Sequence, residues 1–80
     1  MAWTYRVVRQ VQQGEVSYGI HEAYDDGDIA QPHSITTEAV AVVGNTPEEL
    51  GPTLDRMKAA LAKPVLEFDA FGPEARVGKL

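Results

Sequence analysis

The chain has 80 residues, a formal net charge of −5, 44% hydrophobic and 24% charged residues, and no cysteine. This is the composition of one small globular domain with a single core and little room for a deep pocket. It excludes a disulfide framework, a thiolate nucleophile, a cysteine zinc site and an apolar stretch of the ~20 residues that span a bilayer.

The first stretch alternates. Trp3, Tyr5, Val7, Arg9 and Val11 fall on one face, and Thr4, Arg6, Val8 and Gln10 on the other. Period two with aromatic and β-branched residues predicts a strand. Gln13-Gly14 supplies a turn, and Val16, Tyr18, Ile20, Glu22 and Tyr24 resume the alternation. A two-residue loop pairs Val11 with Val16, Arg9 with Tyr18, Val7 with Ile20, Tyr5 with Glu22 and Trp3 with Tyr24. In that register the two apolar sets share a face, and a slip of one residue would separate them.

Asp26-Gly27 suits a type I′ turn. As a two-residue loop it sets Tyr24 against Ile29, Ile20 against His33 and Tyr18 against Ile35. Pro32 places this third strand at an edge or breaks it. Ala39 to Val43 is a short apolar run ending at Gly44 and predicts a fourth strand. Thr46, Pro47 and Glu49 form a capping-box pattern at a helix start. Leu50, Leu54, Met57 and Leu61 follow as one apolar stripe. Gly51-Pro52 inside it predicts a kink or a separate first turn. Lys63-Pro64 ends the helix, and Val65 to Phe68 predict a last strand.

The expected architecture is therefore α+β: an antiparallel β-meander with one helix packed on one face, in the order β-β-β-β-α-β. Residues 1–71 form the domain and 72–80 a mobile C-terminal tail. The leucine stripe is expected to cover the face of Trp3, Tyr5, Val7, Tyr18, Ile20 and Tyr24. The opposite face, with Thr4, Arg6, Val8, Gln10, Ser17, Gly19, His21, Ala23, Ala30 and Pro32, is expected to stay open. Arg6, Val8, Gln10, His21 and Ala23 are thus the candidate interaction residues.

Chemistry-bearing residues are few. His21, Glu22, Asp25, Asp26, Asp28 and His33 form one polar cluster. A metal site would draw on His21, His33 and a carboxylate. Acid–base catalysis would draw on Glu22 with His21, but neighbours on a strand point to opposite faces. Glu22 is expected to sit at the sheet margin, hydrogen-bonded to Tyr5. No nucleophile motif, phosphate loop or dinucleotide fingerprint occurs, so no catalytic residue, metal or cofactor is expected. The scarcity of clustered Lys and Arg predicts no nucleic-acid partner. No basic stretch followed by an apolar block opens the chain, so a cytoplasmic location and no membrane contact are expected.

Two resemblances accompany this reading. Trp3 to Val7, Tyr18 to Tyr24, Gly44 to Leu50 and Lys63 to Leu66 resemble a family of small, functionally uncharacterised bacterial proteins over nearly the whole chain. That likeness implies no activity. A strand meander followed by Gly44, Thr46, Glu48 and Glu49 at a helix start is similar to the HicB-like antitoxin core. The family's Asp-Leu-Pro-Gly segment is missing here, and no C-terminal DNA-binding element is expected. The second likeness therefore implies neutralising a basic RNA-targeting toxin rather than binding an operator. The function expected is a non-enzymatic protein-interaction module whose partner is another protein, a second copy in a homodimer being the first candidate. The alternatives are the antitoxin and a small enzyme or metal-binding protein using His21, Glu22 or His33.

Overall fold

The structure, a computed structural model, describes residues 2–78. Two long strands, β1 (Ala2–Gln12) and β2 (Glu15–Asp25), form an antiparallel hairpin. Its register is the expected one: Val11 opposes Val16, Val7 opposes Ile20 and Trp3 opposes Tyr24. The loop residues Gln13 and Gly14 both have positive φ, 52° and 82°, the backbone of a turn that follows the strand twist. Glutamine is strained there and asparagine is not. Gln13→Asn is therefore expected to stabilise the fold by roughly 0.5–1 kcal/mol. A urea midpoint that does not rise would contradict the turn geometry.

Beyond the hairpin the meander gives way to a mixed sheet. Strand β3 (Ser34–Thr36) pairs antiparallel with β2, β4 (Leu66–Glu67) pairs parallel with β1, and β5 (Arg76–Val77) pairs parallel with β3. The spatial order is β4-β1-β2-β3-β5. The expected purely antiparallel sheet, with the element order β-β-β-β-α-β, is thus corrected to a mixed sheet of order β-β-β-α-β-β.

The third strand also shifts register. Ala23 opposes Ile35 and Tyr24 opposes Ser34, in place of the expected Tyr18–Ile35 pair. The cause is local. The Asp25 carboxylate accepts from the Gly27 N–H at 2.8 Å, and the Asp28 carboxylate accepts from the Ala30 N–H at 3.0 Å. These two side-chain turns compete with a two-residue hairpin loop. Pro32, lacking a donor, delays pairing until the His33 N–H meets the Tyr24 carbonyl at 2.9 Å.

Residues 39–43 form no strand; the segment is held to β2 by the Val40 N–H on the Ile20 carbonyl, at 2.8 Å. The helix start divides. A 3-10 turn over Pro47–Glu49 precedes helix α1 (Leu50–Ala59), and a second 3-10 turn follows over Ala60–Ala62. Gly51 and Pro52 therefore sit in the first turn of α1, where a backbone donor is not needed. The capping box does not close. The tight turn already uses the Glu49 N–H on the Thr46 carbonyl at 3.1 Å, and the Thr46 hydroxyl donates instead to the Glu49 carboxylate at 3.3 Å.

Burial corrects the choice of face. The buried cluster is Val8, Ala23, Ile35, Phe68 and Phe71, with Leu66 and Ala75 packed against it. Val8 and Ala23 belong to the face expected to be open. Small residues let other segments come close there: a Cβ at Gly19 would stand 3.1 Å from the Ala39 Cβ. Phe68 and Phe71, from a 3-10 turn over Phe68–Ala70 and the residue after it, fill the space, each adding about 1.5–3 kcal/mol of burial. The Arg76 guanidinium lies 4.5 Å above the Phe68 ring and donates from Nε to the Phe71 carbonyl at 2.8 Å.

Of the leucine stripe, only Met57 is buried; Leu54 and Leu61 are 50% and 71% exposed. The helix runs beside β1, with Arg56, Ala59 and Lys63 next to Trp3, Thr4 and Tyr5. Residues 73–77, assigned to a tail on sequence grounds, supply a 3-10 turn over Pro73–Ala75 and the edge strand β5. Residues 79–80 of that tail lie outside the described residues.

Candidate functional site

The five candidate interaction residues come together, but mostly inside the protein. Arg6, Val8, His21 and Ala23 are buried, and Gln10 is half-buried. Four of the five therefore cannot meet a partner without unfolding. They were assigned to the surface because one helix was expected to cover one face; the C-terminal segment covers the other.

Arg6 is the most unusual of them. It is fully buried, and its Nη1 donates to the Ile29 carbonyl at 2.6 Å and its Nη2 to the Pro64 carbonyl at 2.7 Å. Nε has no partner. Burial pushes the guanidinium pKa down from its ordinary value. Arg6 thus ties the 26–33 loop and the start of the 63–65 connection to β1. Its side chain meets backbone carbonyls rather than a carboxylate.

His21 stands opposite Arg6 in the hairpin and its Nδ1 lies 2.8 Å from the Thr36 carbonyl. A carbonyl oxygen only accepts, so Nδ1 is the donor in that bond. Thr36 continues the network, its Oγ1 accepting from the Glu22 N–H at 3.3 Å and donating to the Glu38 carbonyl at 2.9 Å. The bonds from His21 and Glu22 join β2 to β3, and the bond to Glu38 is local to the end of β3.

Glu22 lies on the opposite face, where it accepts from the Tyr24 hydroxyl at 2.8 Å rather than from Tyr5. The two residues are two apart on one strand, so they share a face. His33 sits in the loop, its Nε2 3.7 Å from an Asp26 carboxylate oxygen. Among the described residues no three His, Asp or Glu side chains converge as metal ligands would. No helix among them is long and apolar enough to cross a membrane.

The Tyr24 phenol has a measurable consequence. Burial, reinforced by the Glu22 carboxylate, raises its pKa above the ordinary 10.0. A raised folded-state value favours the protonated phenol. Its contribution is complete below pH 10.0 and is lost as pH climbs through the higher folded value. Tyr24→Phe should therefore flatten the alkaline fall in stability. Urea titrations above pH 10.0 that give parallel falls in both proteins would contradict this placement.

What remains exposed is the distal hairpin. Val11, Val16 and Tyr18 are 42%, 47% and 63% exposed on one face. The strands here outrun their neighbours: β4 reaches only Val8 and Arg9, and β3 only Ala23 and Tyr24. Arg9 holds Glu67 at 3.0 Å at the base of this tip. Periodicity places Tyr18 on the face expected to be covered, because alternation marks a face without saying how far its covering extends. The usable signal was length, since two strands of 11 residues exceed what one short helix covers. Comparison with protein-family models, curated proteins and solved structures finds no match to this chain. The two family likenesses rest on the sequence motifs alone.

Proposed function

We propose that this chain is a non-enzymatic protein-interaction module whose distal hairpin docks a second copy of itself. The observation that carries the reading is the exposed row of Val11, Val16 and Tyr18 on strands that extend past their neighbours. Arg9 is paired with Glu67, so Glu15 is the one uncompensated charge between residues 9 and 18. Two tips can therefore meet with less repulsion than the rest of an acidic chain would impose. Apolar side chains and unpaired strand edges would be hidden together, and a two-fold pair is the commonest closed arrangement.

The alternatives draw less support. Attraction to a basic toxin favours a strongly acidic docking face, and the exposed tip carries a single uncompensated carboxylate, Glu15. An acid–base pair of His21 and Glu22 is opposed by their opposite faces, and His21 is buried. Light scattering across a micromolar dilution series tests the reading. The mass should rise from 8.7 kDa towards twice that value, and Tyr18→Lys should hold it at the monomer with an unchanged circular dichroism spectrum. A mass that never rises, or a Tyr18→Lys protein that still pairs, would overturn it.

A further inference from the structure

At the other end of the hairpin a groove of about 240 Å³ opens between β1 and α1, lined by Trp3, Thr4, Tyr5, Arg56, Ala59 and Lys63. Its floor is aromatic. The Trp3 and Tyr5 rings meet edge to face at 5.0 Å and 83°, which fixes the indole while leaving Trp3 43% exposed. Its polar rim is cationic, and no acidic side chain lines it, although the chain carries 12 acidic residues.

The other three arginines are engaged. Arg6 holds two carbonyls, Arg9 holds Glu67, and Arg76 covers Phe68. The Arg56 and Lys63 side chains have neither a hydrogen-bond nor an ion-pair partner among the described residues. Two uncommitted cations beside an aromatic floor make a site for an anion with an apolar part. The space is below the range of about 300–1,000 Å³ usual for cofactor and drug-sized ligands. A polyphosphate track is opposed by the net charge of −5 and needs more than two cations.

We infer that this groove binds a short acidic peptide segment, an aromatic side chain seated against Trp3 and Tyr5 and flanking carboxylates on Arg56 and Lys63. The site is independent of the tip proposed for self-association. Trp3 lies at the opposite end of β1 from Val11, about 25 Å away along an extended strand. Both surfaces can therefore be occupied in one assembly, which would make the paired protein a bivalent receptor.

Trp3 is the single tryptophan, so its fluorescence reports on the groove directly. The probe is a blocked Asp-Phe-Glu peptide titrated into the full chain. Its Asn-Phe-Gln counterpart and a short oligothymidylate serve as comparisons. The acidic peptide should change the Trp3 emission saturably, and added salt should weaken it. Arg56→Gln combined with Lys63→Gln should weaken it about fivefold or more. Lys58→Gln, on the same helix but outside the groove, should leave it unchanged. Equal binding of the neutral peptide, no loss in the double variant, or saturation by the oligothymidylate in place of the peptide would each overturn the assignment. Circular dichroism of the variants separates lost binding from lost folding. Light scattering reads the tip separately, so one result can fail without the other.

Discussion

Val8→Lys is expected to abolish the cooperative folding of this protein at neutral pH. Val8 is 1% exposed and packs with Ala23, Ile35, Phe68 and Phe71. An ammonium there would lose its hydration with no carboxylate in the cluster to receive it, a cost of several kcal/mol. A domain of this size has total stability near the lower end of about 5–15 kcal/mol. Val16→Lys is the matched control. It changes the same side chain on the same hairpin, but at a position 47% exposed on the opposite face. It should cost less than about 1 kcal/mol. Thermal and urea unfolding of the two variants reads the comparison directly. The reverse order would place the core on the face of Trp3 and Tyr18.

Arg6→Met is expected to lower stability by about 2–4 kcal/mol, and Arg6→Lys by roughly half as much. Two effects oppose each other. Methionine removes a buried charge, which is favourable because Arg6 is fully desolvated and faces no carboxylate. It also removes charge-assisted hydrogen bonds at 2.6 and 2.7 Å to the Ile29 and Pro64 carbonyls. Such bonds contribute about 1.5–3 kcal/mol each, so losing two outweighs the relief. Lysine keeps the charge but has one nitrogen, and cannot hold two carbonyls in the fork of a guanidinium. Amide exchange across residues 26–33 should accelerate in both variants, because Arg6 anchors that loop at Ile29. An Arg6→Met protein as stable as the parent would show that the buried charge costs more than its bonds return.

The hairpin was legible to the residue because its information is local. Alternation sets the faces, two positive-φ residues set the turn, and agreement of the apolar sets selects one register. The covering of the sheet was not legible in this way. Trp3, Tyr5 and Tyr18 make the more apolar-looking face, yet it is partly open, while the face with Gly19 and Ala23 is closed. Close packing rewards a surface that other segments can approach, and small residues provide it. The residues that close it, Phe68 and Phe71, lie in a segment too short for any periodicity. They stand between Pro64 and Pro73, where Gly72-Pro73 suggested that the domain had ended.

The third strand shows the same limit at a turn. Asp26-Gly27 is a sound hairpin signal in isolation, but the Asp25 and Asp28 carboxylates each take a backbone N–H two residues on. Acidic side chains on both sides of a glycine therefore built a longer loop. The candidate site followed from these errors of placement. Arg6, Val8, His21 and Ala23 were grouped correctly on one face and assigned to the wrong environment. The tip and the groove were not singled out, because each depends on where a neighbouring element stops.

Thiol labelling of single-cysteine variants tests the central claim most directly, since the natural chain has no cysteine to interfere. The claim is that the face of Val8 and Ala23 is closed within each molecule, and that the face of Val16 is closed only between molecules. Ala23→Cys, at a position 1% exposed, should resist a small thiol reagent at every protein concentration and react only as the protein unfolds in urea. Val16→Cys should react at the rate of a free peptide thiol when dilute and become protected as concentration rises. Fast labelling of Ala23→Cys in the folded protein, or labelling of Val16→Cys that ignores concentration, would contradict it.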